Sequence, residues 1–286
     1  MLATFVIGLR EGLEAALIVG IIAGFLANQG RRDALRQVWL GVGAAVVICV
    51  AGGVALELVT ADLPQAGQEG LETLIGLFAV AMVTYMIVWM RRHARGMRAE
   101  LETSATAALA RGSAHALVGM AFLAVLREGF ETVVFLIAAF QASTSPMAAG
   151  SGALIGVVVA VVLGYGVYRG GVRLNMARFF RVTGAVLVVV AAGLLMTAAH
   201  TAHEAGWLDA GQRQAADFTW FVQPGTPVSS LVTGVLGIQP FPTVIELVVW
   251  VLYAVPLLAY VLWPQRGPAQ RRSAAESHPT PQPSRG

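Results

Sequence analysis

The sequence has little charge and no lysine. Only 12% of its 286 residues are charged and 57% are apolar, with a mean hydropathy of +0.71. A soluble domain usually has about 25% charged residues, so the composition excludes an ordinary soluble protein. The phosphate-binding loop of many ATPases ends in Gly-Lys-Ser/Thr, and a chain without lysine has no such loop. We therefore expect no ATP site of this kind.

Cysteine is almost absent as well. Cys49 is the single cysteine, which excludes an intrachain disulfide framework and a metal site built from several cysteines. Cys49 lies within an apolar run, where a free thiol behaves as a small hydrophobic side chain. We expect it to pack rather than to react.

Long apolar runs are abundant, and they predict a membrane protein. About 20 apolar residues in a helix cross the roughly 30 Å of bilayer hydrocarbon. The first run has no basic segment before it and no Ala-x-Ala cleavage site, so it does not read as a signal peptide. The predicted fold is all-α and integral to the membrane, with seven transmembrane helices at about 2–27, 38–59, 71–90, 117–140, 151–168, 179–200 and 244–263.

The arginines predict how the helices cross the membrane. Sixteen of the nineteen basic residues fall into four clusters, which follow the first, third, fifth and seventh runs. Cytoplasmic segments are rich in basic residues, so the N-terminus is predicted outside and the C-terminus inside. The sequence pI near 9.5 does not indicate nucleic-acid binding. These arginines are explained by setting the orientation of the chain in the membrane and by contact with anionic lipid. We expect the lipid bilayer as a partner and no nucleic acid.

The chain divides into one membrane domain and a tail. The domain covers residues 1–263, and the segment 264–286 is rich in Pro, Gln, Arg and Ser, a composition typical of a disordered tail, here cytoplasmic. Within the domain we expect a first repeat, a second repeat, an outer loop and a seventh helix, at about 1–92, 115–200, 201–243 and 244–263.

An internal repeat relates the two halves of the domain. Phe5 to Glu14 reads FVIGLREGLE, and Phe122 to Glu131 reads FLAVLREGFE. The first copy lies in a helix that is predicted to run inward, and the second in a helix that is predicted to run outward. The pattern therefore predicts an inverted repeat of three plus three helices with one extra helix, an arrangement found in many transporters.

The repeated motif predicts a cation site inside the membrane. In a helix, Glu11 and Glu14 share a face and Arg10 can pair with Glu14. Ionisable residues are costly in hydrocarbon and usually mark an ion pathway. Carboxylates in excess over guanidiniums favour a hard, multivalent cation. The predicted metal ligands are Glu11, Glu14, Glu128 and Glu131, with Arg10 and Arg127 as the motif arginines; a buried ion-pair lock between the helices is the alternative.

Further polar residues lie near the predicted outer ends of the helices, where negative charge would attract cations. His200 shares a helical face with residues three and four positions later, which is a plausible ligand spacing. The candidate outer site consists of Glu57, Asp62, Glu69, Glu72, His200, His203 and Glu204; solvated helix ends are the alternative. Met82, Met86 and Met90 form a stripe that favours packing over a path for a soft metal.

Four sequence segments of this chain resemble those of the high-affinity iron permeases of the oxidase-dependent type. They are Arg10-Glu11-Gly12-Leu13-Glu14, Arg127-Glu128-Gly129-Phe130-Glu131, Glu69-Gly70 and the stretch 200–206. The resemblance covers the chain to about Trp263. It implies a permease rather than an enzyme, located in the cytoplasmic membrane, in which the four motif glutamates bind and pass iron and the two arginines orient or balance them. It also implies an extracytoplasmic oxidase or peroxidase and an iron-binding companion protein as partners.

Two features depart from this family. Phe130 stands where the family usually has leucine, and the acidic loop motif of the fungal members has no counterpart. The sequence leaves other functions open, namely a permease for another cation such as lead, or an intramembrane ferroxidase. It also leaves open whether the iron is ferrous or ferric, and what the oligomeric state is.

Overall fold

The computed structural model describes residues 1–28, 30, 32–61, 63–93, 114–143, 145–169, 175–220, 226, 232–233 and 239–263. Within these ranges the chain is helical and has no β-strand, only an isolated bridge between Gln214 and Thr243. The helices are α1 (Leu2–Asn28), α2 (Arg32–Ala61), α3 (Gln65–His93), α4 (Ala114–Gln141), α5 (Pro146–Tyr168), α6 (Met176–Glu204) and α7 (Val244–Leu262). Asp62 and the expected tail lie outside the described residues.

Local signals explain several helix starts. Helix α5 begins at Pro146, whose fixed φ suits the first helical position. Asn175 precedes α6, and its side-chain oxygen accepts a hydrogen bond from the Arg178 backbone N–H at 3.0 Å. Thr243 precedes α7 and forms a capping box with Glu246, in which each side chain accepts a hydrogen bond from the backbone N–H of the other. The capping box fixes the Glu246 carboxylate at the start of α7.

The helices are long and apolar, as a membrane protein requires. Five of them (α2, α3, α5, α6 and α7) have the length and composition to cross a bilayer. Helices α1 and α4 are equally long, but each has an arginine and two glutamates near its middle. Large apolar side chains cover much of the outside, among them Val47, Leu58, Leu154, Val162 and Leu252. The chain is a multi-pass membrane protein.

Two helix pairs pack in parallel and bring the proposed repeats together. Helix α1 packs most extensively against α5, and the contacts advance along both helices in the same direction: Gly8 lies against Ala153 and Gly12 against Ala160. Helix α2 packs against α4 in the same sense, with Gly41 against Val118 and Gly53 against Val133. Small residues at these contacts allow the backbones to approach closely.

Three other pairs are antiparallel. In the α1–α4 pair, Ile7 lies in the same core cluster as Phe135, and Val19 lies in another cluster with Val125. Residue numbers increase along α1 where they decrease along α4, so the two helices run in opposite directions. Helix α3 contacts α6 in the same sense, because Thr73 meets Thr201 and Gly76 meets Ala198. Helix α7 lies antiparallel to α6, with His200 near Glu246 and Gly184 near Val261.

Candidate metal centre

The first motif forms a buried ion-paired group on α1. Arg10 is 1% exposed, and its Nη1 donates a hydrogen bond to Glu11 Oε1 at 2.8 Å. Its Nη2 lies 3.2 Å from Glu14 Oε1, one helical turn further along. The guanidinium carbon also lies 5.9 Å from the centre of the Phe180 ring on α6. Arg10 therefore contacts both glutamates of its motif, and the i, i+4 spacing predicts the contact with Glu14.

The second motif repeats this pairing on α4 in a more open setting. Arg127 Nε donates a hydrogen bond to Glu131 Oε1 at 3.0 Å and lies 3.8 Å from Glu128 Oε1. The Arg127 side chain is 55% exposed, and its guanidinium carbon lies 5.9 Å from the centre of the Trp89 ring. Both glutamates are buried. The carboxylates of this motif thus face the interior of the protein, whereas its arginine reaches the protein surface.

The two motifs bring three carboxylates together between α1 and α4. One oxygen each of Glu11, Glu128 and Glu131 lies within 4.8 Å of the other two. All three residues are buried. Carboxylate oxygens are the ligands that hard cations prefer. Three of the four predicted ligands therefore converge on one point, while Glu14 stays with Arg10 outside this closest group.

Some carboxylate oxygens in the group have unused bonding capacity. Glu11 Oε2 and Glu128 Oε2 are buried and have no hydrogen-bond partner in the described part of the chain. Leaving a buried charged acceptor unsatisfied costs free energy of about 1–3 kcal/mol or more. Burial of three carboxylates side by side adds mutual repulsion. A bound cation would remove both penalties.

The two motif glycines, Gly12 and Gly129, pack closely against helices α5 and α2. A Cβ atom on Gly12 would lie 2.9 Å from Ala160 Cβ on α5, and a Cβ on Gly129 would lie 2.6 Å from Cys49 Sγ on α2. Each glycine therefore lets a helix of the other repeat approach its motif helix. Phe130 is 53% exposed, so this departure from the usual leucine faces away from the carboxylates.

A second polar group lies at the end of the bundle where α6 ends and α7 begins, and we call it the outer cluster: Glu69, His200, Glu204 and Glu246. His200 Nδ1 lies 3.0 Å from Glu246 Oε1, and His200 Nε2 lies 3.5 Å from Glu204 Oε1. The carboxyl groups of Glu69 and Glu204 lie close enough to interact electrostatically. Glu246 is 3% exposed, whereas His200 and Glu204 reach the surface.

The other candidate outer residues are more scattered. His203 turns toward the loop, with its Nδ1 2.8 Å from the Leu208 carbonyl oxygen. Glu57 is exposed on α2. Glu72 lies within electrostatic reach of Glu57 and Glu69 without joining the outer cluster. The structure thus groups three of the seven candidates, namely Glu69, His200 and Glu204.

Sequence reasoning missed two contacts. Glu246 joins the outer cluster from α7, 46 residues away from His200 along the chain. Its capping-box pattern, Thr-x-x-Glu before an apolar run, was the available signal. Met86 is buried, and its sulfur contacts Arg10 Nη1. The methionine stripe therefore packs in the core, as expected, with Met86 reaching the first motif.

The fold and the site define a class: an all-helical, multi-pass membrane protein with ionisable residues buried on two facing helices, which is typical of ion transport proteins. The sequence profile of the iron permease FTR1 family matches residues 1–269, and the chain belongs to that family. Membership confirms the resemblance found in the sequence and identifies iron as the transported substrate. It also confirms a permease rather than an enzyme.

Individual relatives cover nearly the whole chain. The ferrous iron permease EfeU of Escherichia coli O6:K15:H31 is 41% identical over 279 residues, which is 96% of this chain and 100% of the relative. The ferrous iron permease EfeU of Yersinia pestis is 40% identical over 277 residues, 96% of this chain and 98% of the relative. No solved structure matches the chain.

Proposed function

We propose that this chain is a ferrous iron permease of the cytoplasmic membrane, in which Glu11, Glu128 and Glu131 bind the iron ion during its passage. The observation that carries the proposal is the convergence of three buried carboxylate oxygens within 4.8 Å. Glu14 is proposed as a fourth ligand. Its Oε1 lies 3.2 Å from Arg10 Nη2. Iron is the cargo of this site and not a resident cofactor.

The charge of the two motifs favours the ferrous ion. Four glutamates and two arginines have about two negative charges when all are ionised. A divalent cation neutralises this group, whereas a trivalent cation leaves a positive charge in a region of low dielectric constant. The relatives from Escherichia coli and Yersinia pestis are named as ferrous iron permeases. Other divalent cations have the same charge, and lead stays an alternative cargo.

The paired arginines give the site a way to release its cargo. In the absence of a cation, Arg10 and Arg127 neutralise part of the carboxylate charge. When iron binds, it competes with the guanidiniums for the same oxygens, so neither state leaves all the carboxylates without a partner. Binding is therefore weaker than it would be at four free carboxylates. A transport site requires this moderate affinity, because the ion must leave again.

The outer cluster is proposed as the place where iron is first accepted. Glu69, Glu204 and Glu246 supply carboxylates and His200 an imidazole, a ligand set that suits first-row divalent metals. Two of the four side chains, those of His200 and Glu204, are 39% and 45% exposed, so an ion can reach them from outside. Negative charge at such a mouth would raise the local cation concentration.

The proposed orientation has seven transmembrane helices, with the N-terminus outside and the C-terminus inside. The arginine clusters support it through the positive-inside rule. The helix pairing supports the inverted repeat, in which α1, α2 and α3 correspond to α4, α5 and α6. The contact between α1 and α5 then has its counterpart in the contact between α4 and α2. The α1–α4 and α3–α6 contacts each join a helix to its own counterpart. Transport without an ATP site then relies on the membrane potential, about 2.3 kcal/mol per charge per 100 mV.

The partners implied by the resemblance, an extracytoplasmic oxidase or peroxidase with an iron-binding companion, stay a prediction. Affinity purification of the tagged permease from iron-starved cells, followed by identification of the copurifying extracytoplasmic proteins, tests it. An oxidase converts ferrous to ferric iron, so a permease for ferrous iron does not need its product. Uptake of ascorbate-reduced iron with and without the copurifying proteins therefore measures the dependence on the partner.

Radioactive iron uptake tests the central proposal. Iron-starved cells without their own uptake systems would express the chain or its Glu128→Gln variant at equal membrane abundance. Glu57→Gln is the matched control, because Glu57 is exposed and lies outside both groups. We expect accumulation with the unaltered chain and with Glu57→Gln, and a loss of roughly tenfold or more with Glu128→Gln, since a ligand to the ion is removed. Equal uptake by all three proteins contradicts the assigned site.

Competition in the same assay identifies the cargo. An excess of unlabelled Mn²⁺, Zn²⁺ or Pb²⁺ would be added with ⁵⁵Fe²⁺, kept reduced by ascorbate. We expect unlabelled Fe²⁺ to compete more strongly than the other metals. Stronger competition by Pb²⁺ would instead favour lead as the cargo.

A further inference from the structure

A cavity lies between α1, α3, α6 and α7, apart from the carboxylates that face α4. Its volume is about 50 Å³, which accommodates several water-sized groups. It lies where α3 and α7 end, because Arg91 Nη2 donates a hydrogen bond to the Trp263 carbonyl oxygen at 2.7 Å beside it. The arginine clusters mark these ends of α3 and α7 as cytoplasmic, whereas α1 continues for 18 residues beyond Arg10, to Asn28.

The charged groups that line the cavity all have the same sign. Arg10 comes from α1, Arg91 from α3 and Arg181 from α6, and the other lining residues have no ionisable side chain. Apolar groups such as Ile87, Phe180 and Val261 form the walls between the three guanidiniums. An apolar pocket with a few convergent polar groups is the usual form of a small-ligand site. The charge of its lining favours an anion as the ligand.

Arg10, which lines the cavity, has an unused hydrogen-bond donor. The side chain is 1% exposed, and its Nη atoms contact Glu11 and Glu14. Its Nε has no hydrogen-bond partner in the part of the chain that the structure describes. A buried N–H without an acceptor is costly, and a ligand oxygen in the cavity would remove that cost.

We propose that this cavity binds a phosphate-type oxyanion beside the ends of α3 and α7. The planar guanidinium group matches the geometry of phosphate oxygens and forms short, charge-assisted hydrogen bonds with them. Three guanidiniums from three different helices could surround one such group. The phosphate can be a free inorganic ion or the headgroup of an anionic phospholipid, since both present the same oxygens.

The site has a consequence for the carboxylates on α1. Arg10 is shared between the cavity and the first motif, so an oxyanion at its Nε edge would compete with Glu11 and Glu14 for the guanidinium. A bound oxyanion would therefore leave those carboxylates freer to hold a cation. This consequence rests on the proposed function, whereas the oxyanion site itself stands without it.

Binding of ³²P-labelled inorganic phosphate tests the site without any metal. The full chain would be reconstituted in nanodiscs of phosphatidylcholine alone and analysed by equilibrium dialysis, together with Arg181→Gln, Arg181→Lys and Arg178→Gln. Arg178 is exposed on the same helix and does not line the cavity, so its variant controls for the loss of one positive charge. We expect saturable binding that Arg181→Gln weakens on the order of tenfold, Arg181→Lys weakens less, and Arg178→Gln leaves unchanged.

A lipid arm distinguishes the two sources of phosphate. The same proteins would be reconstituted with phosphatidylglycerol added, and retained lipid would be measured by native mass spectrometry. If a headgroup is the natural ligand, free phosphate binds weakly, and phosphatidylglycerol is retained by the unaltered chain and Arg178→Gln but lost from Arg181→Gln. The proposal is overturned if the unaltered chain binds neither ligand, or if Arg178→Gln reduces binding as much as Arg181→Gln. Iron uptake is not measured in either arm, so failure of the permease proposal would leave this result interpretable.

Discussion

Arg10 and Arg127 occupy the same position in the two motifs but lie in different environments. The side chain of Arg10 is 1% exposed and that of Arg127 is 55% exposed. Both form an i, i+4 ion pair with the last glutamate of their motif, at 3.2 Å and 3.0 Å. The sequence repeat is therefore close to symmetric, whereas the site it builds is not. The difference lies in the arginines, because the glutamates of both motifs are buried.

This asymmetry predicts unequal losses of stability. Arg10→Gln leaves Glu11 and Glu14 buried without their counter-charge, which typically costs about 3–5 kcal/mol. Arg127→Gln removes the partner of the buried Glu131, but Arg127 is 55% exposed and more open to screening, so we expect a smaller cost than for Arg10→Gln. Denaturant unfolding of the detergent-solubilised protein measures both. Equal destabilisation by the two substitutions would contradict the environments described above.

Close packing of α1 against α5 gives a second prediction. A Cβ on Gly156 would lie 2.8 Å from the Leu9 backbone nitrogen and would also meet the Phe5 carbonyl oxygen. Because these atoms belong to the backbone of α1, they cannot turn away, and the helices must separate. We expect Gly156→Ala to lower the free energy of unfolding by about 1–3 kcal/mol, as overpacking does.

The matched control for Gly156→Ala is Gly43→Ala on α2. A Cβ on Gly43 would meet nothing within 4 Å. Alanine has a higher helix propensity than glycine, by about 1 kcal/mol in a soluble helix. Thermal unfolding of both variants in detergent should show a lower midpoint for Gly156→Ala only. A similar midpoint for both variants would argue against the close α1–α5 contact.

Much of the fold and the core of the site follow from local sequence. The apolar runs indicate all the helices, and the i, i+4 spacing predicts the Arg10–Glu14 and Arg127–Glu131 pairs, because helical geometry fixes them within one turn. The helices extend beyond the apolar runs; α3, for example, begins at Gln65 rather than near residue 71. Polar residues can continue a helix past the hydrocarbon, and hydropathy alone does not detect this.

The contacts between helices could not be predicted in the same way. His200 and His203 differ by three residues on one helix, yet His200 faces Glu246 and His203 faces the Leu208 carbonyl oxygen. That choice depends on where α7 and the following loop pack, which spacing within α6 does not determine. The same holds for Met86 beside Arg10, since the two residues are 76 positions apart.

A buried hydrogen bond joins α3 to α6 and gives a third prediction. The hydroxyl oxygens of Thr73 and Thr201 lie 2.7 Å apart, and both residues are buried. Coupling energies of such bonds between membrane helices average about 0.6 kcal/mol. A double-mutant cycle with Thr73→Val, Thr201→Val and the double variant, measured by SDS-induced unfolding, should yield a favourable coupling of about this size. Purely additive effects would show that the bond contributes nothing.

The outer cluster gives the last prediction, with two histidines on one helix as test and control. If His200 helps to accept iron, then His200→Ala should raise the iron concentration for half-maximal uptake several-fold, because a ligand at the mouth is lost while the buried carboxylates are intact. Glu246→Gln should act in the same direction, since Glu246 Oε1 lies 3.0 Å from His200 Nδ1. His203→Ala should leave half-maximal uptake unchanged, because His203 faces the Leu208 carbonyl oxygen. Concentration-dependent ⁵⁵Fe²⁺ uptake at equal membrane abundance measures all three, and an equal change for both histidines would indicate a general effect on the end of α6.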